Sequence, residues 1–342
     1  MSVLGPWPGH KVLKAQTIAM GELSDVPTGV VGLPPLVHMP GRGPGAATVP
    51  RTAALLAEMP VELGPHGWKL ADRPGVDLER AQSFLREDLD ALAVAAYGYT
   101  GRLVLSLRGP WSLAAALYLA RGDRVLSDHG AVREIVSSLG EAVGGLIASV
   151  RTAVPGATPV VVLREPGLPD VLGGAVPTFS GHSRIPAVPV ELASEALGRV
   201  VAAARSAGAE QVVIHGGARF ASRALATLSG SGADAVGVAA GAVRAQQWDQ
   251  LAGLVERGVG LWFGLPRDKP RKGGPDVAGI ADLVSRPWRA VGLPASGLAD
   301  VVVHTDTSGS GDHVLANQQA MRHELEAAVK VAAELAERAD RG

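Results

Sequence analysis

The chain has 342 residues, 47% of them hydrophobic and none of them cysteine, with 32 Lys and Arg set against 33 Asp and Glu. That length can bury one large core or two ordinary ones. The balanced charge speaks against a nucleic-acid or anionic-membrane binder, so small molecules and proteins are the expected partners. The missing cysteines exclude disulfides, thiolate nucleophiles, iron–sulfur clusters and any zinc site built on sulfur.

The opening stretch MSVLGPWPGHKVLKAQ has no apolar core of signal-peptide length, and no run of about 18 uninterrupted apolar residues occurs, so a cytoplasmic protein is expected. In chain order, SVLG (2–5) predicts a first strand and helical spacing begins after Lys11. Residues 24–76 are rich in Gly and Pro and predict an extended insertion with a small hairpin, holding a helix near 51–59 and a second strand at VEL (61–63). From there helices and short apolar runs alternate. Helices are predicted at 77–98, 131–152, 190–207, 220–229, 245–257, 276–286 and 314–338, and strands at 102–107, 159–163, 211–215, 235–239, 260–264 and 300–304. Strands this apolar are buried on both faces, and helices between them make a sheet parallel. Eight such units predict an α/β fold, a (β/α)8 TIM barrel, formed by residues 1–342 as a single domain.

A β/α barrel builds its active site at the C-terminal ends of its strands. Those positions are Gly5, Pro6 and His10, then Arg108, then Arg164 and Glu165, then His215 to Gly217, Ala239 and Ala240, Pro266 and Arg267, and finally His304, Asp306 and Thr307. Arg164, Glu165, His215, His304 and Asp306 stand out, because a polar group ending an apolar strand must be hydrogen-bonded, metal-bound or turned to a wet cavity. A lone histidine there is more often structural than functional, and adjacent Arg and Glu often close a barrel mouth. Five such groups bring the functional reading level with the structural one. SGSGD (308–312), after the last strand, reads as a plain loop in preference to a phosphate seat. No dinucleotide, P-loop, zinc-protease or hydrolase motif is present.

Taken together, GPWPG (5–9), GRGPGAATVPRTAALL (41–56), GPHGWKLADRPG (64–75), GYTGRLVLSLRGPWSLAAAL (98–117), VVVLREPGLPDVLGG (160–174) and VVIHGG (212–217) resemble the single-barrel, actinobacterial-type relatives of cobalamin-independent methionine synthase. The resemblance spans nearly the whole chain and implies the barrel shared with uroporphyrinogen decarboxylase. In the family's full synthases a zinc ion activates the homocysteine thiol for attack on a methyl-folate. The family holds that zinc with a His-x-Cys pair, a Glu and a second Cys. Here the histidine matches His215, but the other three positions fall on Gly217, Ala239 and Thr307. The substrate-binding Asp-Glu-Pro reads Arg164-Glu165-Pro166, and the Gly-Ser near the N-terminus reads Gly5-Pro6.

Three functions stay open. One is a zinc-dependent methyltransferase whose metal is held by His215, Glu165, His304 and Asp306. A second is a barrel without that chemistry that binds a small anionic or amino-acid-like ligand or serves a protein partner. A third is a metal-free lyase or decarboxylase in which Arg164 and Arg267 hold carboxylates while His215 or Asp306 moves a proton. With most zinc ligands replaced, no cofactor is expected.

Overall fold

The structure, a computed structural model, describes residues 1–219, 222–267, 275–305 and 317–342. The chain begins with helices α1 (Val12–Ser24) and α2 (Thr48–Ala53), then an antiparallel hairpin of β1 (Val61–Gly64) and β2 (Gly67–Leu70), then α3 (Val76–Ala95). Strands and helices alternate from there. These are β3 (Arg102–Arg108), α4 (Pro110–Ala116), α5 (His129–Ala153), β4 (Thr158–Arg164), α6 (Leu168–Leu172), α7 (Val190–Ser206), β5 (Gln211–His215), α8 (Ser222–Gly230), β6 (Ala235–Ala239), α9 (Ala245–Glu256), β7 (Gly260–Gly264), α10 (Val277–Ala290), β8 (Val302–His304) and α11 (Gln318–Asp340).

Strands β3 to β8 form one curled parallel sheet in sequence order. Side chains alternate between its faces. Val160 and Val162 of β4 point inward with Val104, Val213, Ala235 and Trp262, joined there by Leu4 and Leu33. Val161 and Leu163 point outward into the much larger core shared with the helices. Burial on both faces is why these strands read as unbroken apolar runs.

The second strand predicted at 61–63 is not part of this sheet. It is β1 of the separate hairpin, where Leu63 is exposed and Glu62 pairs with Lys69 across the hairpin surface. The outer edge of β3 instead meets residues 33–36. Pro35 bridges Val104, the Leu36 N–H donates to the Val104 carbonyl at 2.9 Å, and the Val104 N–H donates to the Pro34 carbonyl at 2.8 Å. At the other edge Ser2 bridges both His304 and Leu33. The first predicted strand, 2–5, is thus reduced to single-residue pairing at Ser2. Pro34 and Pro35 have no N–H to offer a ladder, so this segment carries no strand signature.

The short helices α4 and α6 lie just past the C-terminal ends of β3 and β4, and the β1–β2 hairpin joins the α4 side through a bridge between Lys69 and Tyr118. Among the described residues no helix is long and apolar enough to cross a membrane.

Candidate functional site

The parallel register sets Arg108 beside Arg164, Arg164 beside His215, and His215 beside Gly237. Each lies an even number of residues beyond an inward-facing apolar residue of its own strand, so all four positions face the interior. The inner face therefore changes from Val and Ala to Arg and His over its last turn of pleat. His304 at the end of β8 completes the cluster, and Arg164, His215 and His304 are all essentially fully buried.

Gly237 makes room for the His215 ring, since a Cβ there would stand 2.3 Å from Cδ2 of that imidazole. The ring's hydrogen bonds fix its tautomer. The Gly217 N–H donates to Nδ1 at 3.0 Å, which leaves the proton on Nε2, and Nε2 lies 3.0 Å from Nε2 of His304. His215 therefore donates and His304 accepts. Gly217 reaches this position with φ at +77°, the left-handed region that favours glycine.

Arg164 donates from Nη1 to the Leu4 carbonyl at 2.8 Å, tying β4 to the N-terminal segment across the interior. The main-chain N–H of Arg108 donates to Oγ1 of Thr52 at 2.9 Å. The two guanidiniums share this region with Arg51 and His38. Burial first, then the charges of Arg51, Arg164 and Arg108, hold the His38 imidazole well below its ordinary pKa, while its Nε2–H donates to the Ala46 carbonyl at 2.9 Å. Arg51 in turn is paired with the fully buried Asp88, which also bonds Arg42. Among the described residues Arg51, Arg108 and Arg164 thus all act on the His38 ring.

Glu165 follows Arg164 but serves the helix beside it. Its Oε1 accepts from the Trp111 N–H at 2.9 Å and its Oε2 from the Ser112 N–H at 2.7 Å, at the start of α4. Helix N–H groups left without partners in the first turn favour such a carboxylate. Burial nevertheless outweighs these bonds and the attraction of Arg108, and pushes the Glu165 carboxyl up to about 7. Gly109 is required by this packing, because a Cβ there would lie 2.4 Å from Oε1. Both carboxylate oxygens are therefore engaged by the protein's own backbone.

Beside α4 a cavity of about 330 Å³ opens at this face, lined by Arg108, Ser112, Pro166, Gly167, Arg219 and Val49 among others. The structure thus brings Arg164, His215 and His304 together in a buried cluster and sets Arg108 at the cavity. Arg267 lies exposed after β7. Asp306, Thr307 and the SGSGD stretch lie outside the described residues. Arg108, His38 and Arg51 stood out less in the sequence. The strand-end position of Arg108 was the available signal, whereas nothing in the sequence marks His38 or Arg51 as neighbours of the mouth.

The described residues do not suit the zinc that the resemblance implies. Both ring nitrogens of His215 are engaged, Gly217 and Ala239 offer no donor atom, and Glu165 is committed to α4. Among them no group of three or more metal-ligating side chains occurs.

No protein-family model and no curated protein matches the chain. Among solved structures it is similar to a B12-independent methionine synthase from Shewanella sp. W3-18-1 in complex with selenomethionine, with a TM-score of 0.59 and 12% identity, covering 98% of this chain and 96% of that chain. The carboxyl transferase domain of Rhizobium etli pyruvate carboxylase, solved with 3-bromopyruvate, gives a TM-score of only 0.27 at 10% identity, over 72% of this chain and 44% of that chain. At such identities the likeness is one of fold. The chain has an α/β barrel-like fold of the kind that the methionine synthase displays.

Proposed function

We propose that this protein is a methionine-synthase-like barrel of eight staves, residues 2–4 and 33–36 completing the ring, that works without sulfur-ligated zinc. Its mouth binds a small anionic or amino-acid-like molecule. The observation that carries the reading is the cavity lined by Arg108 and Arg219 at the C-terminal ends of the strands, with Arg164 next to Arg108 in the strand register. Guanidinium groups suit carboxylate or phosphate through paired N–H donors, and a preformed cavity with few convergent polar groups is the usual form of a small-molecule site. The residues at the family's zinc positions favour this over a zinc methyltransferase. A metal-free lyase is the weaker reading, because neither His215 nor His304 is among the described residues lining that cavity.

The test is thermal unfolding of the full chain with inorganic phosphate, succinate or glutamate, alongside metal analysis of protein purified without a metal-affinity tag. A ligand that binds only the folded state raises the transition temperature with its concentration. At least one probe is expected to do so in the wild type and to lose the effect in Arg108→Gln. About one zinc per chain, lost in His215→Ala, would overturn the reading in favour of the methyltransferase, and no response to any of the three anions would remove its ligand class.

A further inference from the structure

Helices α5 and α7 pack side by side but not evenly. Toward their C-terminal halves they nearly touch, since a Cβ on Gly140 would stand 3.1 Å from the Ala203 methyl and one on Gly144 3.6 Å from that of Ala207. Toward their N-termini larger side chains hold them apart. Val132 and Val136 of α5 face Leu192 and Ala196 of α7 across a wedge-shaped cavity of about 230 Å³, and Trp111 of α4 forms its inner end. The indole is held in place there, its Nε1–H donating to the Ala193 carbonyl at 3.0 Å. The wedge is apolar within and charged at its rim. Arg133, Arg199, His129 and Glu195 stand there, and, behind backbone hydrogen bonds, the charge of Arg133 also helps hold the neighbouring Asp128 carboxyl below its ordinary pKa. Arg199 is bound to Glu195 at 2.7 Å, whereas Arg133 makes no ion pair among the described residues.

Apolar walls give water few partners, and an enclosed apolar cavity of about 150 Å³ already accepts a benzene ring. We propose that the wedge is a binding site for a short-chain carboxylate, its hydrocarbon tail against Trp111 and the two valines and its carboxylate beside Arg133. This site is separate from the Arg108 cavity and does not depend on the function proposed for it. It also differs in kind, since the mouth cavity is lined by arginine beside buried charge while the wedge is apolar within and carries its charges only at the entrance.

Calorimetric titration of the full chain with octanoate tests this, with acetate and octanol as controls. Octanoate is expected to bind at least about tenfold more tightly than acetate, because each methylene buried contributes about 0.8 kcal/mol, and with the negative heat-capacity change of apolar burial. Ala196→Phe fills the wedge and is expected to weaken octanoate about tenfold or more. Should that variant lose its thermal transition, Leu192→Glu, at a position 44% exposed, sets a carboxylate at the rim and is expected to weaken octanoate likewise. Arg133→Glu is expected to weaken octanoate about threefold to fivefold and leave octanol unchanged. Octanoate binding no better than acetate, or no better than octanol, overturns the proposal. So does binding that survives Ala196→Phe and is lost in Arg108→Gln, which would place the carboxylate at the mouth.

Discussion

The lower and upper parts of the sheet's inner face are buried almost equally and held together differently. Val104, Val160, Val162, Val213, Ala235 and Trp262 fill the lower part and are 1% exposed or less, while Arg108, Arg164, His215 and His304 form the upper part at 4% or less. Below, cohesion is close packing, which responds to volume and shape. Above, it is a set of directed bonds, Arg164 to Leu4, Gly217 to His215 and His215 to His304, which responds to the loss of any one partner. The same strands thus carry a layer that sets stability and, within two residues, one whose chemistry can change while the packing beneath stays intact.

The largest effect expected is in the lower layer. Trp262→Ala should cost about 3–5 kcal/mol in denaturant unfolding, as large-to-small core changes do. A cost like that of a surface substitution would mean the lower layer is not close-packed. His215→Ala comes next, at about 2–4 kcal/mol, because it strands both the Gly217 N–H and Nε2 of His304 without adding a comparable void. If refilling the space with His215→Leu recovered the stability, packing rather than bonding would rule the upper layer too. Glu165 makes a smaller and pH-dependent contribution. Its folded pKa of about 7 lies above its ordinary 4.5, so between these values the folded chain holds a proton that the unfolded chain has released. Its contribution to stability is therefore complete below about pH 4.5 and is lost as pH rises to 7, by roughly 3 kcal/mol in all. Urea midpoints measured from pH 4.5 to 7.5 should fall accordingly, and Glu165→Gln should flatten that fall. Arg108→Gln is read at the ligand instead, since it should abolish stabilisation by the anion that binds the mouth while leaving a cooperative unfolding transition.

Strands β3 to β8 were legible because each is buried on both faces, leaving runs such as Pro159–Leu163 and Ala235–Ala239 with no polar interruption until the mouth. The N-terminal segments that bridge the sheet's two edges were not. Residues 33–36 read Leu-Pro-Pro-Leu, whose prolines mask the pairing with Val104, so the alternating Val61–Leu63 took their place in the prediction. Helices α4 and α6 were missed because seven and five residues are too few to show a periodic apolar face. At the site, positions at strand ends foretold that Arg164, His215 and His304 would converge. They could not foretell that Glu165 would turn toward the first turn of α4, because that choice depends on where Trp111 and Ser112 present their N–H groups. Nor could they reveal Arg51 and His38, which arrive from the Gly/Pro-rich segment without any local pattern.

The two glycines that make room at the mouth imply a record in related sequences. With a carboxylate oxygen 2.4 Å from where a Cβ would stand on residue 109, and an imidazole carbon 2.3 Å from one on residue 237, neither glycine is free to vary while its neighbour stays. Descendants of a common ancestor that keep glutamate at 165 should keep glycine at 109, and those that keep histidine at 215 should keep glycine at 237. Where either partner has been replaced, its glycine should drift first to alanine or serine, so paired substitution at these four positions would date the point at which each lineage rebuilt its mouth.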